Sequence, residues 1–261
     1  MKKIFLLSLM LVLIASLFGC GTATPGDSER RTIVMGTSAD FPPFEFIAEG
    51  GQGRHGHYDG IDVAIAVRIA EHIDADLIIH DAAFDGLIMA LNGGSIDFIA
   101  AGMTIMPDRE EQVSFSIPYF TAMQYIAVQA GNTAITSVND LSGALVGVQI
   151  GTTGDFFVTN SVYDTEPIRY NRANEAFMAL RAGQIDAVVI DSATALMFVG
   201  AAGGELQIIR DNVAFESEHY GIAVRHEDTE LLAAINEVIA DMLASGELEQ
   251  LFAYFTPSDE D

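Results

Sequence analysis

The sequence predicts an α/β protein of two similar lobes with a cleft between them. Three observations lead there. Apolar strand-like runs alternate with helical stripes along the chain, a fourteen-residue stretch occurs twice, and each copy runs into a strand end suited to meeting a small molecule. With 261 residues, 50% of them apolar and 19% charged, the chain has the means to bury such a core. That balance is the reverse of the composition that keeps chains disordered.

The N-terminus is a processing segment. Lys2 and Lys3 precede an apolar run from Ile4 to Phe18 that is too short to span a bilayer comfortably, so residues 1–19 are expected to be a signal peptide. The run ends in Leu17-Phe18-Gly19-Cys20, which resembles the lipobox of bacterial lipoproteins, with Phe18 where a small residue is usual. Cys20 is the single cysteine, so no intramolecular disulfide and no cysteine metal cluster can form, and acylation is its natural use. Residues 20–31 are then a lipid-attached linker, and the exported protein is held on a bacterial membrane.

Formal charge is -25. Without the two lysines the mature chain sets ten arginines against 37 acids, a net of −27. Such a surface repels phosphate backbones, which excludes nucleic acid as a partner. A lysine-free chain also cannot form a Schiff base, hold pyridoxal phosphate covalently or supply a P-loop lysine.

Along the chain, Ile33 to Thr37 reads as the first strand. Ile61 to Ile73 carries apolar residues at helical spacing, and Leu77 to His80 is a second strand. Leu231, Leu232, Ile235, Val238, Ile239, Met242 and Leu243 form a long core stripe stopped by Gly246. Between these lies the repeat: MALNGGSIDFIAAG (Met89 to Gly102) aligns without gaps on MALRAGQIDAVVID (Met178 to Asp191), identical at six of fourteen positions and 89 residues apart. Each copy reads as a helix closed by glycine, a turn and a buried strand. Two copies suit two lobes better than a solenoid.

Ligands of open α/β sheets sit beyond the carboxyl ends of the strands, and the repeat puts Gly102 and Asp191 there, one per lobe. Asp191 follows the unbroken apolar run Ala187 to Ile190, so its carboxylate needs a partner: a ligand ammonium, a helix it caps, or an arginine. GVQIGTTGDFF (Gly147 to Phe157) is a strand entering a glycine- and threonine-rich turn before a helix start, where free N–H groups favour an anion. Lacking a Walker lysine, it suits a carboxylate better than a nucleotide phosphate. Arg109, just after Pro107 opens a helical turn, offers a fork for that carboxylate, or a surface ion pair with Asp108 or Glu110.

The order of these pieces resembles the amino-acid-binding, family 3 group of periplasmic solute-binding proteins that feed ABC importers. The markers are DFPPFEF (Asp40 to Phe46), GID (Gly60 to Asp62), FDGLIMAL, AAGMTIMPDRE, FSIPYF, GVQIGTTG, LRAGQIDAVVID and YGIAV (Tyr220 to Val224), spread from about Thr32 to Phe255. The resemblance implies the type II periplasmic-binding-protein-like fold, with residues 32–118 plus 221–255 as lobe 1, 124–215 as lobe 2, and hinge crossings at 119–123 and 216–220. It assigns an amino acid's carboxylate to Arg109 and the Thr153 amide, and its ammonium to Asp191, the Gly102 carbonyl and the Thr104 hydroxyl. Phe41 and Phe84 fall on the positions that sandwich the side chain, and Ser38, Gln149, Gly154 and Ile190 on those that vary with specificity. Ser38 stands where members taking cations carry an acid, which favours a small or polar neutral amino acid, with Asp40 leaving some room for a cation.

The resemblance further implies a monomer that meets ABC permease subunits and has no cofactor and no metal. Two departures stand out: Ala64 replaces the second acid of the usual GFDVD stretch, and Ala48 to His57 is a glycine-rich hairpin insert whose His55 and His57 are two possible ligands, too few for a metal site. A minority of the family are exported cyclohexadienyl dehydratases. That alternative needs a general acid beyond the zwitterion contacts, and among the mapped positions only Asp191 is a carboxylate. A ligand-presenting sensor component is the other alternative.

Overall fold

The computed structural model describes residues 30–256. The expected signal peptide, Cys20 and most of the linker lie outside them.

Strand β1 (Arg31–Thr37) buries Ile33 and Met35 completely. A small antiparallel sheet follows, β2 (Asp40–Phe41), β3 (Glu45–Ile47) and β4 (Tyr58–Asp59), and the glycine-rich insert lengthens the hairpin between β3 and β4 through an Ala48 N–H to His57 carbonyl bond and a Gly53–Gly56 bridge. Helix α1 (Ile61–His72) and strand β5 (Ala75–Asp81) match the expected helix and strand, and β5 pairs with β1 in parallel along its whole length. Then come α2 (Leu87–Asn92), β6 (Phe98–Ile99), the single turn α3 (Pro107–Glu110) and β7 (Ser114–Phe115).

The chain leaves through β8 (Phe120–Ala122) and builds a second sheet from β9 (Gln124–Gln129), β10 (Val146–Gln149), β11 (Ile168–Tyr170), β12 (Ala187–Asp191) and β13 (Leu206–Ile209). Helices α4 (Thr153–Ser161), α5 (Ala173–Arg181) and α6 (Ser192–Ala201) connect these strands. The return passes through β14 (Glu218–Tyr220), antiparallel to β8, into β15 (Ala223–Val224), and α7 (Thr229–Ser245) and α8 (Glu247–Phe255) then pack on α1. In α7 the stripe buries Ile235, Val238, Ile239 and Met242, while Leu243 faces solvent.

The two sheets have one plan. Their orders are β5-β1-β6-β15-β7 and β11-β10-β12-β9-β13, three parallel strands followed by antiparallel ones, and the fourth place in each is filled by the strand that follows a crossing. The sequence repeat maps onto this plan: α2 leads into β6 and α5 into β12, each third in its sheet, and the closing glycines Gly94 and Gly183 share the left-handed conformation at φ 74 and 68. Each lobe buries aliphatic side chains against its sheet. At the crossings Tyr119, Phe120, Tyr220 and Phe44 pack together, Phe44 lying edge-on to Phe120 and Tyr220 at 4.8 and 5.0 Å between centroids. Rigid aromatic packing there ties the two lobes to one junction.

Candidate ligand-binding site

The carboxyl ends of the parallel strands face one narrow cavity of ≈10 Å³, about the room that a single water molecule takes. The first sheet's side contributes Ser38, Phe41, Phe84, Gly102, Thr104 and Arg109, and the second Gln149, Thr153 and Asp191. These nine positions expected from the sequence are therefore brought together. Glu45, Ala101 and Thr152 join them. Gly154 and Ile190 are not among the lining residues: a side chain at Gly154 would meet the Val189 carbonyl oxygen at 2.9 Å, and Ile190 points into the core.

Arg109 is 5% exposed on α3, whose first residue is Pro107. Its Nη1 donates to the Thr104 carbonyl (2.8 Å) and its Nη2 to the Gly151 carbonyl across the cleft (3.0 Å), with the guanidinium 5.2 Å from the centre of the Phe84 ring. The alternative of a surface pair with Asp108 or Glu110 is set aside, since both of those point to solvent. Burial lowers the Arg109 pKa to about 10, against the pull of Asp191 and Glu218, so the group stays charged at neutral pH. A guanidinium has five N–H donors, which leaves three beyond these two bonds for a carboxylate. Nearby, the turn before α4 spends its Gly151 N–H on Asp155 and its Thr152 N–H on Gln149. The Thr153 N–H opens the helix, where no intrahelical carbonyl reaches it.

Asp191 ends β12 and sits at the position preceding α6, yet its side chain does not cap that helix. It accepts instead from the Tyr220 hydroxyl at 2.6 Å. Burial raises its pKa to about 7, helped by the negative charge of Glu218 and opposed by bonds from Tyr220 and Gln124. Gly102, its repeat equivalent, lies three residues beyond β6 rather than at its end, because β6 is only two residues long. At φ 53, with the Phe41 ring 2.9 Å from where a Cβ would stand, that position accepts glycine and little else. Its N–H is held by Asp62 at 2.8 Å, and the same Asp62 oxygen takes the Tyr119 hydroxyl at 2.8 Å.

Asp62 is itself raised to about 6 by burial, and Glu45, fully buried beside it, is pushed well above the carboxylate range by burial and then by the charges of Asp62 and Asp40. Neither Glu45 oxygen finds an N–H or O–H donor. Burial and the neighbouring negative charges thus favour the neutral form of Glu45.

The lobes are closed on this cavity. Gln149 donates to Ser38 (3.3 Å), Arg172 pairs with Asp81 (2.7 Å), and the Asp40 carboxylate accepts the Ala173 and Asn174 N–H groups that open α5 on the other side. Asp40, which the sequence left open for a ligand cation, is thus engaged by the opposite lobe. Its pKa is raised by burial despite Arg172.

Sequence reasoning missed Glu45, Asp62, Tyr119, Tyr220 and Glu218 as parts of this site. Glu45, Asp62, Tyr119 and Tyr220 stand within motifs that mark the resemblance, but nothing in their spacing shows that they converge. Glu218 fell only within the expected crossing at 216–220, with nothing to mark it as part of the site.

The chain matches the family described as bacterial extracellular solute-binding proteins, family 3, over residues 33–258, and it belongs to that family. Among curated relatives it is 30% identical to the L-cystine-binding protein TcyJ of Escherichia coli K12, covering 85% of this chain and 82% of that one. It is 31% identical to the arginine-binding extracellular protein ArtP of Bacillus subtilis, covering 96% of each. Among solved structures it is similar to a mutant ArgBP from T. maritima (42% identity, 86% and 94% coverage, TM-score 0.78). An ancestral arginine-binding protein bound to glutamine aligns at 38% identity with 87% and 98% coverage and a TM-score of 0.80.

Proposed function

We propose that the protein captures a free L-amino acid with a small or polar neutral side chain outside the cytoplasmic membrane and delivers it to an ABC importer. The observation that carries the reading is the polarity of the cavity. Its lining includes Arg109 and Thr153, whose N–H donors suit a carboxylate, and Asp191, Gly102 and Thr104, whose acceptors suit an ammonium. Phe41, Phe84, Ser38 and Gln149 between them are uncharged, and burial pushes the one further carboxyl of the lining, Glu45, toward its neutral form, so nothing there asks for a charged side chain. The names of the relatives support amino-acid binding as a class, since they span cystine and arginine.

In this reading residues 32–118 with 221–255 form one lobe and 124–215 the other. The crossings at 119–123 and 216–220 serve as the hinge for release, Cys20 carries the lipid anchor, and permease subunits receive the loaded monomer. Carriage is favoured over dehydration because the relatives are named as binding proteins and Asp191, the lining carboxyl beyond Glu45, is engaged with the Tyr220 hydroxyl.

A thermal-shift screen with the twenty amino acids tests the reading. A true ligand at a hundredfold excess over Kd adds about 2.7 kcal/mol to stability. No shift with any of them would refute it, and turnover of prephenate or arogenate would establish the enzyme instead.

A further inference from the structure

Glu218, on the crossing strand β14, reaches into the junction of the lobes and holds two of the threonines there. Thr104 Oγ1 donates to Glu218 Oε2 at 2.8 Å and Thr153 Oγ1 donates to the same oxygen at 2.7 Å, while Gln124 Nε2 donates to Oε1 at 3.2 Å. The direction of the Thr153 bond is settled by its other contact. Gln124 Nε2 also donates to Thr153 Oγ1 at 3.1 Å, so that hydroxyl accepts from the amide and gives its own proton to the carboxylate. A carboxylate has no proton to give, so Thr104 is oriented in the same way.

We propose that Glu218 is a positioning residue for the ammonium end of the site, acting through the Thr104 hydroxyl. This rests on the amino-acid reading above and goes a step beyond it. A hydroxyl whose proton is committed to Glu218 offers only lone pairs on its other side. The Thr104 oxygen can therefore accept from an N–H group and cannot donate to a carbonyl or carboxylate placed there. Glu218 thus selects an amine at that pole and rejects the corresponding keto acid. Glutamine at this position would keep both threonine bonds only with its carbonyl in the place of Oε2, which sets its N–H₂ against that of Gln124; with the amide reversed, both threonines face N–H donors and turn their hydroxyl protons back toward the cavity.

The test uses the protein with E218Q, Thr104→Val and the double variant. Titration calorimetry employs the twenty L-amino acids as probes and then, for the tightest of them, its counterpart with hydrogen in place of the ammonium. E218Q is expected to weaken the amino acid at least tenfold and the des-amino counterpart by less than threefold. In the Thr104→Val background, where the hydroxyl is already gone, E218Q should cost less than threefold. If E218Q does not fold, Glu218→Asp, too short to hold both threonines, should show the same pattern. An unchanged Kd in E218Q, an equal loss with and without the ammonium, or an equal loss in both Thr104 backgrounds overturns the inference, the last two because a merely structural role gives that result. If the unaltered protein binds no amino acid, the reading on which it rests has failed first, and the inference falls with it.

Discussion

Affinity for the amino acid should collapse in mild acid, and Asp191 sets where. Its carboxyl is raised from 3.8 to about 7, first by burial and then by the charge of Glu218, with the Tyr220 hydroxyl and Gln124 pulling the other way. Arg109 and Glu45 also lie within its field. Only the ionised form offsets an ammonium, so each pH unit below about 7 should weaken binding close to tenfold. At pH 5 that amounts to about a hundredfold, or about 2.7 kcal/mol at 1.36 kcal/mol per unit. Binding must also expel the proton that the empty site holds. The folded pKa lies above the unfolded one, so this group favours the unliganded fold fully below about pH 4, and that contribution is lost as pH rises through about 7. Asp62, raised to about 6, acts in the same sense. Stability of the free protein from these groups therefore declines from pH 4 to 7 while ligand affinity climbs, two opposite slopes from one cause. Calorimetry at pH 5, 6, 7 and 8, in two buffers of different ionisation enthalpy, reads both the Kd and the proton released. A Kd constant within threefold over that range would refute the reasoning, as would an unchanged pH profile in Asp191→Asn.

Two further outcomes follow from the same geometry. Arg109→Ala should weaken binding by about thirtyfold or more, because truncating one member of a buried charged pair costs about 2–5 kcal/mol and 1.4 kcal/mol is a decade; near-native affinity would place the carboxylate contact elsewhere. Gly102→Ala should destabilise the fold by about 1–3 kcal/mol in urea, since the residue sits at φ 53 against the Phe41 ring, and a melt identical to that of the native protein would contradict that strain.

The sequence by itself determined the fold class and singled out Arg109 and Asp191, the two charged residues that the structure brings to one cavity. The repeat is local, so Met89 to Gly102 and Met178 to Asp191 announce two matching helix–strand units without any knowledge of their packing. The motifs around Arg109 and Thr153 carry their chemistry in adjacent residues in the same way. What only the tertiary structure decided is what surrounds those residues. Glu218 lies 114 residues from Thr104, and Asp40 lies 133 from Ala173, so no period or spacing couples them, and the crossing strands and the closed lobes alone bring them into contact. Protonation belongs to the same class. Whether Glu45, Asp62 and Asp191 carry charge depends on how much water and how many neighbouring charges each one sees, and burial is a property of the packed chain that the order of its residues does not contain.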